Sequence, residues 1–175
     1  LYSVLEHYEN KYIEYQNAMW GQKLGIDDFA EADETLVIEL DGLLQKVETD
    51  MTIFFRMLST IETPEIGLLE NSFYDKNTIP TDEWNAWLEK WWKRVNNKPN
   101  REAMRKANPK YVLRNWMAQL AIDAAENEDY TVCEELFTLL KHPYDEQPEM
   151  EEKWFQKRPE SVSYKHLTLP TNSNV

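Results

Sequence analysis

A single cysteine, Cys133, among 175 residues excludes an internal disulfide and a multi-cysteine zinc site. Glycine is almost as scarce. With four in the whole chain there is no phosphate-cradling loop, which needs several close together so that backbone N–H groups can approach the anion. The nearest pair, Gly21 and Gly25, reads as a helix end. No apolar run approaches the roughly 20 residues of a bilayer crossing. Leu1 opens with neither an initiator Met nor signal-peptide grammar, so the chain is expected to be a piece of something longer. Positive charge is also in deficit: 19 basic against 32 acidic residues give −13, a field that repels phosphate backbones and anionic lipid. Neither nucleic acid nor membrane is expected as a partner.

What is present is enough for a core. Hydrophobic residues at 42% and charged residues at 29% describe a globular protein rather than a disordered one. Seven Trp, nine Tyr and six Phe supply large buried areas with few rotatable bonds, so packing accounts for the aromatic content better than catalysis does.

Helical spacing dominates the chain. Leu1, Leu5, Tyr8, Tyr12, Tyr15 and Met19 share one face of an amphipathic helix that ends near Gly21 or Gly25. After an acidic loop from Asp27 to Asp33, Leu36, Leu40, Leu43 and Val47 repeat the pattern behind an Asp33 cap. Met51, Phe54, Phe55 and Leu58, opened by Asp50, predict a short helix buried almost all round. Residues 62–80 lose periodicity and predict a long connection with one short helical turn. Trp84, Trp87, Leu88, Trp91 and Val95 then form a core stripe behind Thr81, with Trp92 at its margin, and Arg101–Ala107 predicts a short helix. Asn108 as cap and Pro109 at the first helical position predict a helix running to about Asn127, carrying Tyr111, Leu113, Met117, Leu120 and Ile122. Thr131 and Glu134 match a capping box before Leu136, Phe137, Leu139 and Leu140, and Pro143 stops that helix. No period-two alternation bounded by hairpin turns is present, so the fold is expected to be all-α.

Chemistry is harder to find. His7, His142 and His166 share no motif spacing with Cys133 or with a serine, and Cys133 reads as a small packed side chain one turn inside a helix. The pairs Glu134/Glu135 and Glu151/Glu152 read as solvated faces, because adjacent helical residues point apart. Lys110 and Arg114, expected one turn apart in an acidic chain, could clamp an anion; the blander expectation is that Arg114 pairs with the Tyr144–Pro148 segment or with another carboxylate.

These same stretches carry a resemblance. NPKYVLRNW from Asn108 to Trp116, AQLAIDAAE from Ala118 to Glu126 and PYDEQPE from Pro143 to Glu149 closely resemble the C-terminal region of selenoprotein O, called YdiU in bacteria. TDMTIFFRML from Thr49 to Leu58 and the tryptophan-rich Trp84–Val95 resemble that family in the same order, so the likeness spans roughly residues 1–160. The resemblance implies that the chain is the multi-helix C-terminal portion of a protein-kinase-like fold that transfers AMP from ATP to protein hydroxyls with a divalent metal. The family's nucleotide loop, catalytic Asp and metal-binding residues lie upstream of this region. The resemblance therefore implies no catalytic, cofactor-binding or metal-binding residue here, with ATP and magnesium belonging to the intact parent. Asn108, Pro109, Tyr111, Arg114, Asn115, Tyr144, Asp145, Glu146, Gln147 and Pro148 are expected to be structural signature residues. The expected partners are the missing N-terminal kinase-like part and the parent's protein substrates. The expected location is the bacterial cytoplasm, or the mitochondrion in a eukaryote. Residues 161–175 do not resemble the family's Cys-bearing or selenocysteine-bearing tail and are expected to be a disordered, foreign extension. The alternative is a free-standing helical interaction module without catalysis.

Overall fold

The computed structural model describes residues 2–159, with side chains placed from Tyr8 onward. The side chain of the histidine at position 7 and the expected tail of 161–175 lie outside what is described. Among the described residues eight helices follow in chain order: α1 Tyr2–Leu24, α2 Glu34–Leu44, α3 Met51–Leu58, α4 Thr81–Arg94, α5 Arg101–Ala107, α6 Asn115–Ala125, α7 Thr131–Lys141 and α8 Pro148–Trp154. Among the described residues there is no strand, only an isolated antiparallel bridge between Thr49 and Phe73.

The end of α1 shows how the sequence dictates a local structure. Gly25 takes a left-handed φ of 67°, which lets the Ile26 N–H reach back to the Gly21 carbonyl at 2.8 Å and the Gly25 N–H to that of Gln22 at 3.3 Å. A Cβ at Gly25 would lie 2.8 Å from Met104 Sδ, so glycine is also what lets α5 approach. The shared face Tyr8–Tyr12–Tyr15–Met19 does form, but it is bare; α1 meets the body through Trp20 and Leu24 instead. Asp50 caps α3 as expected, accepting from the Ile53 N–H at 3.1 Å.

The buried apolar residues fall into two groups. The first core gathers α1 to α5 around Leu24, Leu40, Phe54, Leu58, Trp84, Trp87, Leu88 and Trp91. Here Phe54, Phe73 and Trp84 meet with centroids 5.3–6.3 Å apart, and Trp87 stacks on Trp91. Two of the indoles reach helix-end or helical carbonyls, Trp87 Nε1 donating to Leu36 O and Trp91 Nε1 to Leu24 O, each at 2.8 Å. The connection over 62–80 is less passive than its weak periodicity suggests: two 3₁₀ segments, Ile66–Ser72 and Lys76–Thr78, set Ile66, Leu69 and Phe73 into this core. The second core is smaller, with Tyr111, Trp116, Met117, Leu136, Leu139 and Trp154 drawn from α6, α7, α8 and the segment before α6.

Several expected boundaries are corrected. Asn108 and Pro109 do not open a helix: Asn108 closes α5, its N–H bonding Met104 O at 2.9 Å, and its φ/ψ of −112°/102° is extended. A residue before proline is driven out of the α region, which here overrides the capping signal. The chain stays irregular to Arg114, with the Lys110 and Tyr111 N–H groups both donating to Pro143 O at 2.8 and 3.0 Å, and α6 begins at Asn115. Leu113, Leu120, Ile122 and Phe137, expected on core faces, are exposed. The capping box at Thr131 is replaced by Asp129, whose carboxylate accepts from the Thr131 N–H and hydroxyl at 2.9 and 2.7 Å. Asp33 precedes α2 but turns its carboxylate to the Ala30 N–H and to Arg94 rather than capping that helix. Finally, α8 is a helix that periodicity does not predict; Pro148 starts it after Gln147 in a left-handed conformation.

Candidate functional site

The two cores meet across a buried polar seam, and most of the signature residues lie along it. Its centre is Arg56, the one cation of α3, 4% exposed. One terminal nitrogen donates to the carbonyls of Arg105 and Asn108, both at 3.1 Å. The other reaches Tyr144 O at 3.1 Å and Glu146 Oε1 at 2.5 Å. A guanidinium suits this place because its fixed fork serves several acceptors at once without a proton to lose.

Lys110, equally buried, donates to Glu146 Oε2 at 2.9 Å and to Glu151 Oε2 at 2.8 Å. Two buried cations thus face two carboxylates whose outer sides remain in water. Tyr111 closes the seam from the second core, its hydroxyl shared between Glu146 O at 2.9 Å and Gln147 O at 3.1 Å. The Gln147 amide in turn donates to the Leu139 and His142 carbonyls at the end of α7, at 3.1 and 2.8 Å. That satisfies acceptors a helix terminus leaves open. Asn108 reaches the other way, its amide oxygen accepting from Lys23 Nζ at 2.9 Å and its NH₂ donating to Lys23 O at 3.1 Å.

A second tie flanks the first. Arg114 holds both oxygens of Asp50 in a bidentate pair and donates to Gln156 O at 3.1 Å. Its partner is the α3 cap, so of the two expected pairings it takes another carboxylate and not the Tyr144–Pro148 segment. Lys110 and Arg114 sit on irregular chain, not one turn apart on a helix, and they bind different carboxylates, Lys110 those of Glu146 and Glu151 and Arg114 that of Asp50. At the far end Lys157 donates to Phe73 O, and Arg158 pairs with Glu48 at 3.1 Å.

The remaining signature residues have smaller parts. Pro109 is half-buried, Asn115 starts α6 on the surface, and Tyr144 contributes its carbonyl while its ring stays exposed. Asp145 lies 3.9 Å from His142 Nδ1. Sequence reasoning misses Arg56 and Glu151. Arg56 does carry a signal, as a lone cation in an otherwise apolar eight-residue helix. Glu151 carries none, since its pattern is that of a solvated face, yet it receives Lys110. Glu135, assigned to the same kind of face, accepts from Lys153 at 2.5 Å and Trp154 Nε1 at 2.8 Å. Cys133 is half-buried with its sulfur 3.8 Å from Ala121 O, as a packed thiol would be.

A cavity of about 510 Å³ opens over the seam, with Ile53, Arg56, Met57, Lys110, Glu146 and Phe155 among its walls. The protonation chemistry of those walls favours fixed charge. Burial pulls the Lys110 ammonium down, but its bonds to Glu151 and Glu146 outweigh that and hold it above the ordinary lysine range. Burial pushes Glu146 up, and Lys110 and Arg56 more than reverse it, leaving the carboxyl below the ordinary glutamate range. Desolvation raises the Tyr111 phenol. A nucleophilic lysine needs a lowered pKa and a general-base glutamate a raised one. Both shifts run the opposite way. Among the described residues no group of three or more His, Cys, Asp or Glu is arranged to hold a metal ion, and no helix is long and apolar enough to cross a membrane.

Comparison with known proteins follows the same residues. The sequence pattern of the family described as "Protein adenylyltransferase SelO" matches residues 1–141. The chain is 41% identical to the "Protein nucleotidyltransferase YdiU" of Flavobacterium johnsoniae, over 94% of this chain and 34% of that protein. It is 40% identical to the protein of the same name from Aromatoleum aromaticum, over 91% of this chain and 32% of that one. For Azoarcus sp. the identity is 38%, over 89% and 32%. The chain thus spans about a third of the length of the curated relatives it matches.

Proposed function

Because the chain belongs to the SelO family of protein adenylyltransferases, we propose that it is a non-catalytic helical part of such an enzyme, one that supports a nucleotide-handling body lying outside these residues. In this reading the full-length protein is kinase-like, binds ATP and magnesium elsewhere, and transfers AMP to hydroxyls of protein substrates in the bacterial cytoplasm. This chain contributes shape. The observation that carries the reading is the state of the seam: Arg56, Lys110, Arg114 and Tyr111 each have their polar groups bound to carbonyls or carboxylates of the chain itself. The upward shift of Lys110 and the downward shift of Glu146 favour the paired, charged forms of that seam.

Ligand linkage tests it. A site for ATP in this chain would raise its melting temperature at saturating ligand, by an amount set by RT ln(1 + [L]/Kd). Differential scanning fluorimetry with ATP and magnesium is expected to leave the transition in place. A rise of about 4 °C or more, equivalent to roughly 1–2 kcal/mol in a domain of this size, would overturn the reading.

A further inference from the structure

Residues 8–16 of α1 are all exposed, and among the described side chains the helix joins the body toward its C-terminal end, through Trp20, Lys23 and Leu24. An isolated helix of this length is marginal in water, and most helical stability comes from packing an amphipathic face. Yet such a face is present. Tyr8, Tyr12, Tyr15 and Met19 follow steps of four, three and four, the spacing of an interhelical seam. They are 66%, 56%, 68% and 44% exposed, and Tyr8 stacks on Tyr12 with centroids 6.5 Å apart.

At 100° per residue this stripe lies well away from the side that carries Trp20 and Leu24, so a second element could pack on it without disturbing the body. On the Trp20 side, separate from the stripe, Ile13, Gln16, Trp20, Glu34, Val37 and Ile38 line a mixed groove between α1 and α2. Three tyrosines and a methionine amount to roughly several hundred Å² of mostly apolar surface, comparable with the largest patch an ordinary monomer carries.

We propose that this tyrosine seam is a docking face for the rest of the full-length protein, and that its occupant is a helix of that remainder presenting an apolar stripe. Two observations select that occupant over a second copy of this chain. About two thirds of each matched relative has no counterpart here, so polypeptide is available to cover the face. The seam's flanks carry both signs, Glu9 on one side and a Lys11–Glu14 pair at 2.8 Å on the other, while the net charge of −13 opposes association of two copies. The proposal rests on the supporting role argued above and names the surface through which that support acts.

Amide hydrogen exchange tests it, on this chain and on the full-length Flavobacterium johnsoniae relative. The segment aligned with residues 8–19 is expected to exchange on the order of 100-fold more slowly in the full-length protein than in this chain. Equally fast exchange in both overturns the proposal. Protection that appears in this chain with rising concentration, together with a dimer mass by light scattering, overturns it in favour of a second copy. Tyr12→Glu in this chain should leave its melting temperature within about 2 °C of the original, because the face is bare, while the equivalent change in the full-length protein should restore fast exchange in the segment. The ATP experiment is a separate readout: a ligand-induced shift there removes the non-catalytic reading and leaves the exchange result standing.

Discussion

The two cores of this molecule are built on different chemistry. The first is a cluster of tryptophans and phenylalanines whose polar handles are few: two indole N–H groups find carbonyls, and Trp84 Nε1 finds none among the described residues. The second is smaller, and it is fastened to the first by Arg56 and Arg114, while Lys110 and Tyr111 brace from within the second region the Glu146 segment that Arg56 grips. Dispersion and hydrophobic burial are non-directional, so the first core tolerates imperfect neighbours. Charge-assisted bonds to buried carbonyls are directional and leave unmet acceptors when one partner is lost. The two kinds of damage should therefore travel differently, apolar damage through the whole fold and polar damage to the joint.

Trp91→Ala should have the largest effect, since Trp91 is fully buried, stacks on Trp87 and holds the end of α1 through Leu24 O. A loss of about 3–5 kcal/mol is expected, seen as one cooperative transition at lower temperature in circular dichroism. Arg56→Met keeps volume but strands the Arg105, Asn108 and Tyr144 carbonyls, for a loss of about 2–4 kcal/mol. Here hydrogen exchange should rise across α6 to α8 before it rises in α4. If both variants loosen all helices equally, the two-region description is wrong. Tyr111→Phe removes one hydroxyl from the same joint and should cost about 1 kcal/mol, again felt first in α8 by exchange.

The smallest effect expected is on pH dependence. Glu146 is lowered from an ordinary 4.5, so its contribution is present above that value and is lost as pH falls through its depressed folded value. Lys110 is raised from 10.5, so its contribution is present below that value and is lost only as pH climbs past its higher folded value. Glu146 is half-exposed, and water screens its pairs. Its substitution by Gln should therefore flatten the acid limb of a melting-temperature profile below about pH 4.5 only modestly, without moving the plateau near neutrality. Asp33, depressed despite burial by its bonds to Arg94 and Ala30, should leave an acid limb belonging to the first core in that variant.

How far the sequence foretells this follows from the range of each signal. The α3 cap at Asp50, the tryptophan stripe of α4 and the short α5 are legible because their causes sit within one or two turns. The Asn108–Pro109 segment misleads because its determinants are distant: Arg56 takes the Asn108 carbonyl, Lys23 its side chain, and Pro143 the next two amides. The α1 tyrosines do share a face as their spacing says, but their exposure is not in the spacing, which fixes a face and says nothing of what lies against it. Likewise Lys110 and Arg114 are legible as unusual cations in an acidic chain, but their carboxylates, Glu146, Glu151 and Asp50, lie 36, 41 and 64 residues away.

The clasp at the end of the described chain has a mechanical consequence. Arg158 grips Glu48 and stacks over Tyr74, its N–H bonding the Tyr74 hydroxyl at 3.3 Å, while Lys157 holds Phe73 O. Tension applied along the backbone at that point enters the tryptophan core directly, through the bridge that joins Thr49 to Phe73. Helices α6 to α8 then hang as a slack loop, shielded from the load until the grip of Arg158 and Lys157 gives way.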